Sequence, residues 1–436
     1  MNQLFEKGQK INSPVGLEYE ILDFLGSGGQ GEVYLVKSEN KQYALKWYFF
    51  KQASQEQKIA LEKLVEIGSP NNCFLWPIEL VYSKDNQGFG YIMGLRDKKY
   101  KSINDLMKRK IEPTFYHLIS ACYNLVDSFY ELHSKGLCYR DISFGNVFFD
   151  PKNGEVLICD NDNVTVNNSN GFISVLGTPS FMAPEIVRGE AFPNRNTDLY
   201  SLSVLLFYLL FISHPLEGKR ESNIHCMDTR AMNRLYGEDP VFIYDPNNLS
   251  NRPEPGIHEN AIIFWRIYPK YLKDLFIRAF TKGLNDPNNG RVREIEWRDG
   301  LILLRDSIIY CNNCDAENFG DITNINNEKK CWQCQNSLEY PTILQFSSSN
   351  FIFLNSKSNI FQHHLDHSFK FDKVIGTMNK HPSKNLWGIK NESSRNWTVQ
   401  KSDNTQVKIE PNQTVSLKND LKIDFGEIWG EIKSQL

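Results

Sequence analysis

Long apolar runs are scarce in this chain of 436 residues. The longest, SLSVLLFYLLFIS at 201–213, is interrupted by serines and falls short of the ~20 residues that a membrane-crossing helix needs. It is expected to be a buried core helix. The opening MNQLFEKGQKINSPVG holds no apolar export segment, which points to the cytoplasm. A dominant sign of charge is missing too: 49 Lys and Arg against 52 Asp and Glu leave a net charge of −3. That excludes a polyanion-binding surface over the whole molecule, and neither nucleic acid nor membrane is an expected partner. Cysteine is infrequent, nine in all, and unevenly placed. Cys73, Cys122, Cys138, Cys159 and Cys226 are scattered and read as reduced core thiols, whereas Cys311, Cys314, Cys331 and Cys334 cluster.

What is present is ordinary for a soluble globular protein: 41% hydrophobic and 23% charged residues. The length exceeds one compact core, so two or three domains are expected. The first third alternates β-rich runs with turns. YEILDFLGSGGQGEVYLVK reads as strand, glycine loop and strand, and QYALKWYFF as the next strand. Ser54 and Gln57 have the spacing of a capping box opening a helix through QEQKIALEKLVEIG, with Leu61, Leu64 and Val65 on one face and Gly68 and Pro70 as its stop. From about residue 114 the pattern is helical. The stretch from about 213 to 260, rich in Asn, Asp and Pro, reads as a surface insertion. After about residue 335, short β runs with turn signals return.

Three stretches carry chemistry. GSGGQGEV sets Gly26, Gly28, Gly31 and Val33 between two strands, where backbone N–H groups can close over phosphates. Lys46, on the following strand, offers those phosphates an ammonium. The helix after it offers a carboxylate for Lys46; Glu62, flanking the apolar stripe, is the first choice, and Glu66 and Glu56 remain open. CYRDISFGNVFFD carries Arg140, Asp141 and Asn146. A carboxylate that can receive a hydroxyl proton, five residues before an amide that can hold a metal, fits phosphoryl transfer. In ICDNDNVT, Asp160 ends an apolar segment where a second oxygen ligand for Mg²⁺ is wanted, and Asp162 reads as a polar turn residue.

The order of glycine loop, strand Lys46, R-D-x-x-x-x-N at 140–146, Asp160 and A-P-E at 183–185 resembles the protein kinase family. The resemblance implies an α+β, bilobal fold over residues 15–308, a β-rich N-lobe followed by a helical C-lobe, after an N-terminal extension at 1–14. It implies ATP and Mg²⁺ as cofactors and protein hydroxyls as acceptors, the chain itself among them. The implied nucleotide contacts are Gly26, Ser27, Gly28, Gly29, Gln30, Gly31, Val33, Ala44 and Lys46, with Met93 behind the adenine and Gly94 and Leu95 in the hinge. Asp141 would orient the accepting hydroxyl, and Asn146 and Asp160 would hold the metal. Asp198 resembles the aspartate that anchors the catalytic loop, and Arg291 the arginine that pairs with Glu185. Arg140 is the residue that in this family often meets a phosphorylated loop. Thr165, Ser169, Ser174, Thr178 and Ser180 are the available acceptors, with Thr178 expected against the catalytic loop instead. GTPSFMAPE resembles the serine/threonine branch and argues against a small-molecule kinase.

The chain also departs from that pattern. Tyr139 stands where the family has histidine, and Ser143 where it has the lysine that meets the γ-phosphate. Asn161 and Asp162 replace the phenylalanine and glycine of D-F-G. Loss of a transition-state charge at Ser143 keeps a nucleotide-binding pseudokinase scaffold as the alternative.

CNNC, sixteen residues, then CWQC is the spacing of a tetrahedral Zn²⁺ site, giving a zinc ribbon expected over 309–340. Residues 341–436 read as a small β-sandwich. LWGIKNESSRNWTV and VKIEPNQTVSLKNDLKIDFG resemble the second half of a forkhead-associated domain, a family that binds phosphothreonine peptides; its glycine–arginine and serine–x–x–histidine signatures are not evident, so phosphopeptide binding stays open. The whole arrangement loosely resembles bacterial kinases encoded beside a PP2C-type phosphatase and a von Willebrand A-like protein, which makes those two expected partners.

Overall fold

In β4 (Lys41–Tyr48), alternate side chains point to opposite faces of a sheet: Leu45 and Trp47 enter one core cluster, Ala44 and Tyr48 another. The same period puts Lys46 on the face of Ala44 and Tyr48. This strand belongs to a computed structural model that describes residues 3–167, 177–322, 329–347, 350–369, 371–383, 386–417 and 420–433. The chain divides into two units, Met1–Trp265 with Lys273–Arg298, and Arg266–Leu272 with Asp299–Leu436.

The first unit opens with a six-stranded antiparallel sheet. Its strands are β1 (Lys10–Asn12), β2 (Glu18–Ser27), β3 (Gly31–Ser38), β4, β5 (Glu79–Val81) and β6 (Gly90–Met93), in the order β1-β2-β3-β4-β6-β5. Helix α1 (Gln55–Ile67) covers the Lys46 face through buried Leu61. The Ser54 side chain accepts from Gln57 N at 3.2 Å, and Gly68, at φ 72°, ends the helix. The segment expected as an N-terminal extension is tied into this lobe: β1 pairs with β2, and Phe5 is buried edge-on against Tyr34 and Trp47.

The helical part is built on α2 (Phe115–Ser134) and α3 (Arg195–Phe211). Residues 197–211 of α3 are all buried, which an apolar-all-round helix requires, and Asn194 caps its start with Thr197 answering in a capping box. Between the two helices, β7 (Val147–Phe149) and β8 (Val156–Ile158) form an antiparallel hairpin. The stretch expected as a surface insertion is anchored: Leu216, Phe242 and Ile243 are wholly buried, and Phe242 packs edge-on against Phe207 of α3. Isolated apolar residues in a polar segment are the anchors that its composition conceals.

In the second unit, strands Ile308–Tyr310 and Glu317–Phe319 pair as a hairpin beside the four clustered cysteines. Beyond them lies a six-stranded antiparallel sheet, in the order Phe351–Phe353, Ile343–Gln345, Trp429–Lys433, Lys422–Asp424, Trp397–Gln400, Gln406–Ile409. A four-stranded sheet runs Asn359–Phe361, Val374–Lys380, Trp387–Asn391, Thr414–Ser416. Both sheets feed one apolar cluster, with Leu344, Trp397 and Ile423 from the first and Ile375, Ile389 and Val415 from the second. Among the described residues, no helix is long and apolar enough to cross a membrane.

Candidate active site

Lys46 is opposite Val33 on β3 and Tyr91 on β6, and Ala44 is opposite Met93. These pairings bring the lysine, the strand after the glycine loop and the expected adenine-side residues Ala44 and Met93 into one sheet face. Leu95 beyond them is exposed, and the neighbouring Arg96 lies over the Phe148 ring at 4.2 Å. A Cβ on Gly31 would lie 2.0 Å from the Trp47 carbonyl oxygen, so the paired strands admit only glycine there. A Cβ on Gly26, Gly28 or Gly29 would meet nothing within 4 Å. The loop therefore borders open space that a phosphate chain would fit.

The β7–β8 hairpin sets the acidic end of the site. Cys159 N donates to Asn146 O at 2.8 Å, which places Asp160 beside the catalytic loop. Asn146 Nδ2 donates to the Asp141 carbonyl at 2.8 Å and to its Oδ2 at 3.1 Å. Thr178 Oγ1 donates to Asp141 Oδ1 at 2.9 Å. Across the cleft, Lys46 Nζ reaches Asp160 Oδ1 at 3.4 Å and Gln30 Oε1, from the glycine loop, at 3.1 Å. Lys46, Asp141, Asn146 and Asp160 are thus linked through short contacts. Arg140 is at φ 74° and Asp160 at φ 49°, left-handed conformations that cost free energy and concentrate at functional sites.

Asp198, on α3, holds the loop from below. Its carboxylate accepts from Tyr139 N at 2.6 Å and Arg140 N at 3.0 Å. Arg140 Nε in turn donates to Asn163 O at 2.7 Å, and the Tyr139 hydroxyl donates to Cys159 O. Arg291 Nη2 grips both oxygens of Glu185 at 2.7 and 2.8 Å. A further layer was not foreseen from sequence: His133 of α2 lies between Asp198, at 3.1 Å, and Glu294, which Arg195 also binds at 2.9 Å. Burial lowers the His133 pKa, but the two carboxylates outweigh it and leave it raised.

Charge in the cleft favours a cation. Burial pushes the Asp160 carboxyl above its ordinary value, Lys46 pulls it back, and Asp162 and Asp141 add like-charge repulsion. The half-exposed Asp160 carboxylate and the Asn146 amide oxygen are donors of the kind that suits Mg²⁺.

Glu62 does not partner Lys46. Its side chain is 52% exposed and lies 4.0 Å from Lys58, one helical turn away, while Glu56 and Glu66 are exposed as well. At 100° per residue, Glu62 is turned a quarter of the way round from buried Leu61 and faces solvent. The partner is Asp162, whose oxygens lie 3.0 and 2.8 Å from Lys46 Nζ. Burial would depress the Lys46 ammonium, but Asp162 and then Asp160 reverse that and hold it charged. The Tyr48 hydroxyl also donates to Asp162, and Gln57 Nε2 of α1 donates to Tyr48 Oη at 3.2 Å and Asp162 O at 3.4 Å. The available sequence signal was the period of two, which puts Tyr48 on the Lys46 face. Of the phospho-acceptor candidates, Ser169 and Ser174 lie outside the described residues.

The protein kinase domain family profile matches residues 19–267 of the chain. The chain belongs to the protein kinase family. Among curated relatives, Protein kinase C-like 1 of Candida albicans is 29% identical over 48% of this chain and 20% of its own length. Serine/threonine-protein kinase PknD of Chlamydia abortus is 27% identical over 48% of the chain and 25% of its length. Human serine/threonine-protein kinase Nek5 is 27% identical over 46% and 29%. The chain thus spans less than a third of the length of these three relatives.

The second unit holds a cluster of four cysteines. Ligand atoms of Cys311, Cys314, Cys331 and Cys334 all lie within 4.8 Å of one another, with Sγ pairs 311–334 and 314–331 at 3.6 and 3.7 Å. Tetrahedral Zn–S bonds of about 2.3 Å put sulfurs about 3.8 Å apart, so the donor set fits Zn²⁺. The two halves repeat one device: Asp315 N donates to Cys311 O and Gln335 N to Cys331 O, with Asp315 at φ 57° and Gln335 at φ 61°. Burial raises the Cys331 thiol, but backbone N–H groups of Cys334 and Gln333 and the Asn318 amide bring it down to about 6.

Proposed function

We propose that this chain is a serine/threonine protein kinase that transfers the γ-phosphoryl group of Mg-ATP to protein hydroxyls, its own included. The observation that carries this reading is the linked set Lys46, Asp160, Asn146 and Asp141 in one cleft. Bound Mg²⁺ would neutralise phosphate charge and polarise the transferring group. Asp160 and Asn146 hold it, Lys46 pairs with phosphate oxygens, and the glycine-loop amides cover them. Asp141 orients the acceptor hydroxyl and takes its proton as the new O–P bond forms and the bond to the leaving ADP breaks. Thr178, bonded to Asp141, aligns that carboxylate. The relatives named as serine/threonine kinases support the acceptor class.

Incorporation of radiolabelled γ-phosphate by the wild-type chain, compared with Asp141→Asn, tests the proposal. Label in the wild type and a loss of roughly 10²–10⁴-fold in the variant is expected; equal labelling in both overturns it. Ser143, buried where the family carries a cation, supports the second reading, a nucleotide-binding scaffold. Wild-type Mg-ATP binding without transfer would select that reading.

Around the kinase domain at 15–308 we assign residues 309–340 to a structural zinc ribbon, on the sulfur spacing. Residues 341–436 form a forkhead-associated-like sandwich, supported by two sheets sharing one core. A PP2C-type phosphatase and a von Willebrand A-like protein are the partners that the resemblance suggests. We place the chain in the cytoplasm, on the reading of Cys73, Cys122, Cys138, Cys159 and Cys226 as scattered reduced thiols.

A further inference from the structure

We infer that Asp162 is the positioning residue for Lys46, doing from the metal-ligand turn what a helix carboxylate would otherwise do, and that α1 contributes to it only through the neutral Gln57 amide. The inference deepens the phosphoryl-transfer reading and rests on it for its catalytic consequence. Three observations carry it. The two carboxylates that meet Lys46 differ in exposure: the Asp160 side chain is 45% exposed and open to a ligand, whereas that of Asp162 is 0% exposed. Both Asp162 oxygens are already engaged, Oδ1 by Lys46 at 3.0 Å and Oδ2 by Lys46 at 2.8 Å and by the Tyr48 hydroxyl. This occupancy suits a lysine anchor and leaves no oxygen turned toward a metal. Finally, the acidic residues of α1, Glu56, Glu62 and Glu66, are all exposed, and its inward polar side chain is Gln57.

The arrangement has a mechanical meaning. An ammonium on a flexible four-carbon stem needs a fixed counter-charge to hold one position. Asp162 supplies it from a 3-10 turn, Asn161–Asn163, that directly follows Asp160. The lysine and the metal-ligating carboxylate are therefore positioned by one short stretch of backbone. Tyr48, two residues beyond Lys46 on the same strand face, locks the carboxylate from the sheet side.

A double-mutant cycle on the full chain tests the coupling, reading Mg-ATP affinity by calorimetry and phosphate transfer by kcat and KM. Asp162→Asn and Lys46→Met are each expected to weaken KM or kcat/KM by roughly 10- to 100-fold, and the double variant to be no worse than Lys46→Met alone. Independent, multiplying losses, or an Asp162→Asn chain that matches wild type, overturn the inference. If Asp162→Asn does not fold, Tyr48→Phe replaces it in the cycle. It keeps the ring and removes one hydrogen bond, and its smaller loss must vanish in the Lys46→Met background. Should the wild type bind Mg-ATP without transferring phosphate, the kinase reading fails, while the affinity cycle still decides the role of Asp162.

Discussion

His133 sits between two carboxylates at a depth where an unpaired charge is expensive. Replacing it with alanine leaves Asp198 and Glu294 facing each other across a void, and a loss of roughly 3–5 kcal/mol in urea unfolding is expected. The pH dependence follows from the same group of residues. Burial raises the Glu294 carboxyl, but His133 and Arg195 overrule it and hold it at about 2 against an ordinary 4.5. A depressed carboxylate stabilises above its unfolded value, so this contribution is present above pH 4.5 and is lost as pH falls toward 2. The raised His133 stabilises fully below its unfolded value of 6.5 and loses that contribution as pH climbs through its folded value. The melting-temperature gap between wild type and His133→Ala should therefore be widest between pH 4.5 and 6.5. A flat gap across pH would remove the network from the account. Asp198 was legible in the sequence, but the His133–Glu294 layer beneath it was not, because those two residues are 161 apart and neither belongs to a motif. Asp141, Asn146 and Asp160 were visible, since spacing along a short loop and hairpin constrains where their side chains go.

Helix α1 shows where legibility stops at the level of elements. Its start, its apolar stripe and its glycine stop were all readable, because capping and periodicity are local. The partner of Lys46 was not, because it lies on the turn after Asp160, 116 residues along the chain, and not on this helix. Gln57, expected to answer Ser54 in a capping box, instead sends its amide to Tyr48. Changing Glu56, Glu62 and Glu66 together to glutamine should leave kcat/KM within about twofold of wild type, since exposed charges contribute little. A tenfold loss in that triple variant would restore a helix carboxylate to the site. The segment 213–260 gives the complementary lesson: its average polarity hid Phe242, which is wholly buried against α3. Phe242→Ala is expected to cost about 3–5 kcal/mol in the same unfolding assay.

For the whole molecule, the kinase fold was legible through the family resemblance that the order of glycine loop, strand lysine and later acidic motifs carries, and the family profile over residues 19–267 agrees with it. The cysteine spacing announced a compact cluster in the same way. The cysteines share an apolar cluster with Ile309, Leu338, Phe351 and Phe353, and metal binding would add to the folding free energy of that cluster. Native mass spectrometry should find about one zinc per chain. Chelation should then raise hydrogen exchange in strands 308–310 and 317–319 while leaving α3 protected. Unchanged exchange in those strands after zinc removal would make the metal dispensable for the fold.

The central claim is that Asp160, Asn146 and Lys46 hold one metal–nucleotide complex, and calorimetric titration of ATP with and without Mg²⁺ measures it most directly. The wild type should bind ATP roughly tenfold or more tightly with Mg²⁺ present, and Asp160→Asn should lose that advantage while keeping its melting temperature. An undiminished Mg²⁺ effect in Asp160→Asn would contradict the account, because the metal would then be held elsewhere.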